Sequence, residues 1–325
     1  MRATDRVRLG HTDVRVTRLG LGLAPIGGLF TPVGDDVARA TVDTAWEHGL
    51  RLFDTAPLYG AGRSERRARA ALSGRPRAEF AISTKVGRRL VPGGTAGQSF
   101  WAEPTGLEPV FDFSYAGTMR SYAESLDRLG LDRIDIAHIH DPDQHFTEAV
   151  AGAYPALAEL RERGAVGAVG AGMNQAPMLA DLVRATDLDC VLLAGRYTLL
   201  DQSGLAELLP LCHERGVAVL AAGVYNSGLL ADPRPGAPYD YAPAPPDLVD
   251  RALALRDVCR RHRVPLRAAA IRFPLGHPAV TSVVVGARSP DEVADAVAMF
   301  GWEIPGAFWA DLKRTGLLPA DVPTP

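Results

Sequence analysis

The sequence predicts a closed (β/α)₈ barrel, because eight short apolar strands alternate with amphipathic helices along the chain. The strands are near-continuous aliphatic runs, as expected for a parallel sheet that helices cover on both faces. Several helical stretches close on Gly, the usual residue after a helix C-terminus. The predicted strands are 17–22, 50–54, 80–86, 134–140, 165–172, 190–195, 217–223 and 280–287.

The elements between the strands agree with this architecture. The clearest amphipathic helices are 35–49, 118–130, 155–164, 205–216 and 248–262. The alternative is an open doubly wound sheet, which favours a G-x-G-x-x-G turn after its first strand. The corresponding stretch, GLGLAP, has Pro25 at the third Gly position, so the alternative is weak. No linker-like segment interrupts the repeat, and we expect residues 1–325 to form a single domain.

Three segments fall outside the repeat. Residues 7–16 alternate with period two around a polar turn, which predicts an N-terminal β-hairpin that would cover the barrel bottom. Two long Gly- and Pro-rich loops, 87–113 and 225–246, follow the third and seventh barrel strands. Both leave the C-terminal ends of strands, where barrel active sites lie. Candidates for an apolar wall of the site, with core packing as the alternative, are Phe30, Trp101 and Tyr225.

Composition excludes several classes of protein. The formal net charge is −3, and we find no basic stripe that would bind nucleic acid. No apolar run is long enough to span a membrane, and the N-terminus has no secretory apolar region. The three cysteines have no metal-type spacing, so we expect no metal site and a reducing, cytoplasmic environment. The sequence does not indicate an oligomeric state.

Four polar residues are predicted at one mouth of the barrel. Asp54, Lys85 and His140 stand at or near the ends of the second, third and fourth strands, and Tyr59 follows in the next loop. Each alone has an ordinary explanation, such as a buried ion pair or a core histidine. Together they suit proton transfer with an alcohol, because a nearby ammonium lowers the pKa of a tyrosine. None of these side chains accepts a hydride, so a cofactor must.

The motifs that carry these residues resemble those of the aldo-keto reductases. The resemblance lies in GLRLFDTAPLYGAGRSE, STKVG, RLGLDRIDIAHIHDPD, GAGMNQ, GRYTLLDQ, YNSGLL and VVVGARSPDEV, in the order of that family. It implies a catalytic tetrad of Asp54, Tyr59, Lys85 and His140, with Tyr59 as acid/base. It also implies a nicotinamide cofactor lying across the barrel mouth without a Rossmann domain. Within the family, the chain is most similar to the aldose and pyridoxal dehydrogenases.

The same resemblance implies a set of cofactor-binding residues. They are Asn174, Gly223, Asn226, Gly228, Gly286, Ala287, Arg288, Glu292 and Asp295. Met173 stands where the family often has Ser, and Ala222 replaces an aromatic residue that stacks on the nicotinamide in many members. NADP-dependent members carry a Lys and an Arg at positions that correspond here to Gly286 and Glu292. Because a carboxylate repels a 2′-phosphate, we expect NAD to be preferred, with NADP possible through Arg288.

The resemblance implies oxidation of a small alcohol, most simply an aldose or a related lactol, to a lactone. An NADPH-dependent aldehyde or ketone reductase is the alternative within the same class. Two other classes remain open on the residues alone. One is a Schiff-base aldolase that uses Lys85 as its nucleophile. The other is a barrel that binds the cofactor as a regulatory partner, against which the complete tetrad argues.

Overall fold

The structure is a computed structural model that describes residues 1–93, 100–103, 105–240 and 242–325. Eight parallel strands close into a barrel, as the sequence predicts. Around the barrel, they follow one another in chain order. They are β3 (Leu19–Gly22), β4 (Leu52–Asp54), β5 (Ala81–Val86), β8 (Ile134–His140), β9 (Val166–Met173), β10 (Cys190–Ala194), β11 (Ala218–Ala222) and β14 (Val280–Gly286).

The predicted N-terminal hairpin is present, formed by β1 (Arg6–Arg8) and β2 (Arg15–Thr17). Leu9 and Val16 of this hairpin are completely buried. They share a cluster with interior residues from the N-terminal halves of the barrel strands, such as Leu52, Ala81 and Ala218. The hairpin therefore closes the bottom of the barrel, opposite the mouth where the strands end.

Helices surround the strands and pack the main hydrophobic core against the outer face of the barrel. Their caps follow from the sequence: Ser114 accepts a hydrogen bond from the Gly117 backbone N–H, and Gly130 ends the same helix at φ 64°. The helices are α1 (Asp35–Glu47), α2 (Arg63–Leu72), α3 (Tyr115–Leu129), α4 (Phe146–Glu148), α5 (Tyr154–Glu162), α6 (Ala176–Ala185), α7 (Leu208–Arg215), α8 (Pro246–Arg261), α9 (Leu266–Arg272), α10 (Pro290–Phe300) and α11 (Gly306–Arg314).

The two long loops contain short strands of their own. In the first, β6 (Arg88–Pro92) and β7 (Leu107–Phe111) pair antiparallel, so two parts of the segment predicted as a loop form a β-ladder. In the second, β12 (Pro238–Tyr239) and β13 (Ala242–Pro243) form a small ladder. Residues 94–99 and 104 of the first loop and residue 241 of the second lie outside the described residues. In the described ranges, no helix is both long and apolar enough to cross a membrane.

Candidate active site

Three adjacent barrel strands bring polar side chains to the mouth. β4 ends on Asp54, β5 carries Lys85 one residue before its end, and β8 ends on His140. These strands pair in the order β4, β5, β8, with Asp54 opposite Ser83 and Lys85 opposite His138. Because parallel strands end on the same side, the predicted residues of three separate segments meet at one place.

Asp54 and Lys85 form a buried ion pair. Lys85 Nζ lies 2.8 Å from Asp54 Oδ2 and donates a second hydrogen bond of 2.8 Å to the Thr55 carbonyl. The hydroxyl of Ser83 donates to the other carboxylate oxygen at 2.7 Å. Asp54 and Lys85 are only 3% and 1% exposed. The pair is therefore shielded from water and fixed in one geometry.

The charge state of Lys85 follows from its neighbours. Burial alone would lower its pKa, but the Asp54 carboxylate and the Tyr59 side chain outweigh burial and raise the pKa above the ordinary value. Its Nζ lies 4.7 Å from the centroid of the Tyr59 ring. Lys85 therefore remains an ammonium beside Tyr59, and a free amine is disfavoured there.

Tyr59 is held at the mouth by a tight turn. Gly60 and Gly62 have φ of 60° and 82°, and a Cβ at Gly60 would lie 2.1 Å from the Gly27 carbonyl oxygen. The half-buried Tyr59 ring stands edge-on to the His140 ring at a centroid separation of 6.0 Å. Trp101 packs on it, also at 6.0 Å. The turn after β4 therefore requires glycine at position 60, because any Cβ there would collide with the backbone of Gly27.

His140 is neutral at the mouth. Burial, with the nearby charges of Lys85 and Arg88, holds the pKa of His140 well below its ordinary value. Its Nδ1 has no hydrogen-bond partner among the described residues, and Nε2 lies 3.5 Å from Asp141 Oδ2. A neutral imidazole at this place has one N–H to donate and one nitrogen to accept.

Beyond β11, the backbone adopts a conformation that is rare outside glycine. Gly223, Asn226, Ser227 and Gly228 all have positive φ, the last three in succession. Asn226 is 3% exposed and donates from Nδ2 to the Gly195 carbonyl at 3.2 Å. Its Oδ1 is buried without a partner within the described segments. A buried oxygen without a donor needs an explanation, and a hydrogen-bond donor on a bound molecule would satisfy it.

The remaining predicted cofactor residues lie at the end of β14, on α10 and just after β9. Arg288 Nε lies 2.8 Å from Glu292 Oε1, and the Arg288 backbone N–H donates to the same carboxylate at 2.9 Å. Asp295 makes two bonds of 2.9 Å to Arg267. A Cβ on Gly286 would lie 2.9 Å from Cγ of Pro25. Ala287 is buried, and Asn174 is half-buried just after β9.

Residues 18–315 match the model of the Aldo/keto reductase family. The chain belongs to this family. It is 42% identical to a pyridoxal 4-dehydrogenase of Microbacterium luteolum, over 98% of this chain and 99% of the relative. It is 43% identical to a D-threo-aldose 1-dehydrogenase of a Pseudomonas species, over 94% of this chain and 95% of the relative.

A solved aldo-keto reductase of Bacillus halodurans has the same fold. It superposes with a TM-score of 0.79 at 26% identity, and the match covers 98% of each chain. The aldo/keto reductase described here is accordingly an oxidoreductase that uses a pyridine nucleotide. The left-handed turn after β11 and the unpartnered Asn226 Oδ1 fit such a cofactor. Glycine-rich backbone lets a ligand approach closely, and the buried oxygen can accept a hydrogen bond from it.

Several residues near the mouth of this aldo/keto reductase were not predicted or were predicted differently. The Phe100–Ala102 segment docks on the loop after β3 through bonds of 2.7 and 2.9 Å, which brings Trp101 to Tyr59. Of the other two wall candidates, Phe30 is 41% exposed and Tyr225 packs against the core. Arg88 and Asp141 form an ion pair beside His140. No spacing in the sequence relates these two residues, which are 53 positions apart.

Proposed function

We propose that this enzyme oxidises the C1 hydroxyl of a cyclic aldose, or a similar lactol, to a lactone with NAD as the cofactor. The observation that carries the proposal is the buried Lys85 ammonium between Asp54 and Tyr59. A permanent positive charge beside a phenol favours tyrosinate, the base that an alcohol oxidation requires. The name of the relative at 43% identity, a D-threo-aldose 1-dehydrogenase, supports the same substrate class, and the relative at 42% is named a dehydrogenase of pyridoxal.

In this mechanism, each residue of the mouth has a separate task. Tyr59, as tyrosinate, takes the proton from the substrate hydroxyl, and the C1–O bond becomes a carbonyl. Lys85 stabilises tyrosinate, and Asp54 holds Lys85 in place through the 2.8 Å ion pair. His140 donates its N–H to the substrate oxygen and so orients the hydroxyl toward Tyr59. The bound nicotinamide supplies the acceptor for the hydride that leaves C1.

The residues after β11 and β14 are those that we propose hold the cofactor. Asn226 and the backbone around Gly223 and Gly228 provide one part, and Gly286 to Arg288 the other, with Asn174 nearest the nicotinamide. The ion pair between Arg288 and Glu292 supports a preference for NAD over NADP. The 2′-phosphate of NADP would have to displace the Glu292 carboxylate from the Arg288 guanidinium. Asp295 is paired with Arg267, so a ribose or adenine contact from it requires that this pair open.

The test is a substrate screen with both nucleotides. Purified enzyme is given NAD⁺ or NADP⁺ with a panel of aldoses and with pyridoxal, and both reduced nucleotide and lactone are measured. The proposal expects lactone formed in equal amount to NADH. NADPH-dependent reduction of aldehydes without aldose oxidation would establish the alternative reductase. Trapping of a carbonyl substrate on Lys85 by borohydride would establish an aldolase, which the protonated state of Lys85 disfavours.

We also propose a cytoplasmic location and a single domain over residues 1–325. The location is supported by three cysteines that are all buried as free thiols.

A further inference from the structure

A single carboxylate oxygen connects the β6–β7 hairpin to His140. Arg88, the first residue of β6, places Nη2 2.9 Å from Asp141 Oδ2. The same oxygen lies 3.5 Å from Nε2 of His140. The first separation is that of a charge-assisted hydrogen bond, and the second is longer than a normal one. The Asp141 carboxylate is therefore hydrogen-bonded to Arg88 and lies near His140 Nε2 without a hydrogen bond of normal length to it.

Both partners of this pair are held by their own surroundings. Asp141 directly follows β8 in a left-handed conformation with φ 44°, and its backbone N–H donates to the Gly172 carbonyl at 3.0 Å. A non-glycine residue keeps this conformation only where the surroundings enforce it. The Arg88 side chain is 12% exposed and stacks on Phe111 of β7 at 4.7 Å. The hairpin thus fixes the guanidinium, and the backbone fixes the position of Asp141, whose carboxylate is held by Arg88.

We propose that Asp141 and Arg88 are positioning residues for His140, and this inference rests on the function proposed above. Asp141 favours the tautomer with the proton on Nε2, because a carboxylate attracts the N–H that faces it. Arg88 holds the carboxylate back, so that the same N–H stays available to the substrate oxygen. The arrangement assigns the donor role at the mouth to Nε2 and leaves Nδ1 unprotonated.

Lys85 acts on the imidazole in the same direction as Arg88, because both cations disfavour an imidazolium. The other groups that face His140 are the Asp141 carboxylate, which favours an imidazolium, the neutral His138 and the Tyr59 ring. Asp141 is faced by Arg88, Lys85 and Asp143. Without Arg88, Asp141 is free to close on His140, one positive charge is lost, and the imidazolium becomes more favourable. The N–H would then be committed to Asp141 and lost to the substrate.

The first test needs no substrate. Enzyme with ¹⁵N-labelled histidine is examined by NMR across neutral pH, and His140→Gln identifies the signals of His140. We expect a neutral ring with its proton on Nε2 in the wild type, and an imidazolium that appears at higher pH in Arg88→Met. The matched control is Arg89→Met, the next residue on β6, whose guanidinium pairs with Asp112 and Glu124. A proton on Nδ1 in the wild type would overturn the proposal.

The second test is a double-mutant cycle in turnover. We expect Arg88→Met to lower kcat/KM roughly 10–100-fold, the equivalent of one lost charge-assisted hydrogen bond, with the larger loss at acidic pH. In an Asp141→Asn background, the same change should cost several-fold less, because the carboxylate that Arg88 restrains is gone. Equal losses in both backgrounds would mean that Arg88 acts on the substrate directly, and the positioning role would be wrong.

These results separate this inference from the proposed function. If NMR gives the expected tautomer but no aldose is oxidised, the substrate proposal fails and the positioning role stands. If Arg88→Met is too unstable to purify, Arg88→Lys keeps the charge without the planar fork, and a partial shift of the His140 signals is expected. Unchanged His140 signals in Arg88→Lys, together with full activity, would contradict the role of the guanidinium geometry.

Discussion

The ammonium of Lys85 lies 2.8 Å from the carboxylate of Asp54, and both groups are almost inaccessible to water. A buried ion pair contributes little net stability, since apolar residues of similar size often serve as well or better. Stability alone therefore does not account for this pair. Its position against Tyr59 indicates that it serves the reaction.

If the pair serves the reaction, removal of both charges should restore stability without restoring activity. Lys85→Met alone leaves the Asp54 carboxylate buried and uncompensated, and should cost about 3–5 kcal/mol of unfolding free energy. Asp54→Asn combined with Lys85→Met should recover most of that loss, because no unpaired charge remains. Turnover in the double variant should nevertheless be roughly 10²–10⁴-fold lower. Urea unfolding and initial rates measure the two quantities; recovery of activity along with stability would assign the pair a structural role only.

Cofactor preference should depend on Glu292. We expect the wild type to prefer NAD⁺ over NADP⁺ by at least about tenfold in kcat/KM, since partly exposed charges ~4 Å apart interact by about 1–4 kcal/mol. Glu292→Gln removes the repulsion of the 2′-phosphate and releases Arg288. The ratio of kcat/KM for NAD⁺ to that for NADP⁺ should therefore fall about tenfold, and the fall should be smaller in high salt. Gly286→Lys is a poorer test, because its Cβ would meet Pro25 at 2.9 Å.

The control for this prediction is Asp291→Asn, which removes the same charge from an exposed neighbour. It should leave the NAD⁺ to NADP⁺ ratio unchanged. Adding Arg288→Ala to Glu292→Gln should restore the preference for NAD⁺. A wild-type enzyme that prefers NADP⁺ would show that Arg288 outweighs Glu292.

His138 should make the fold sensitive to acid. It lies inside the barrel opposite Lys85, neither ring nitrogen has a partner in the described parts of the chain, and burial followed by the Lys85 charge lowers its pKa to about 3. An unfolded histidine has a pKa near 6.5, so below that pH the unfolded state binds the extra proton. Stability should therefore fall by about 2 kcal/mol from this residue between pH ~6.5 and pH ~5.

His138→Leu tests this directly by thermal or urea unfolding at several pH values. The variant should lose less stability on acidification than the wild type. The control His48→Leu, at an exposed position, should lose as much stability as the wild type. An unchanged pH dependence in His138→Leu would mean that the residue is solvated or charged in the folded state.

A second buried carboxylate should matter for folding alone. Glu65 on α2 is fully buried, with Arg128 Nε at 2.5 Å and the Thr84 hydroxyl at 2.8 Å. Arg128→Met should cost about 3–5 kcal/mol of unfolding free energy. Arg133→Met, at an exposed position, should change stability by less than about 0.5 kcal/mol. Similar losses in both variants would contradict the importance of the Glu65 pair.

The barrel and its mouth follow from the sequence because both depend on local patterns. Strands such as those that end at Asp54 and His140 alternate regularly with helices along the chain. When the parallel strands close into a barrel, their C-terminal ends meet at one mouth. The β6–β7 hairpin was not predicted, since Pro92 and Pro109 lie within strands that pair across a long connection. The Arg88–Asp141 pair depends on that hairpin and on a left-handed Asp141, neither of which has a local sequence signal.

Tyr59→Phe tests the central claim most directly. Initial rates of NADH formation with an aldose that the wild type oxidises are compared with the variant, and cofactor binding is measured separately by fluorescence. The ring keeps its packing against His140 and Trp101, so cofactor affinity should stay close to wild type. Without the hydroxyl that accepts the proton, turnover should fall roughly 10²–10⁴-fold. A variant that oxidises the aldose at nearly the wild-type rate would show that another group takes the proton and would contradict the mechanism.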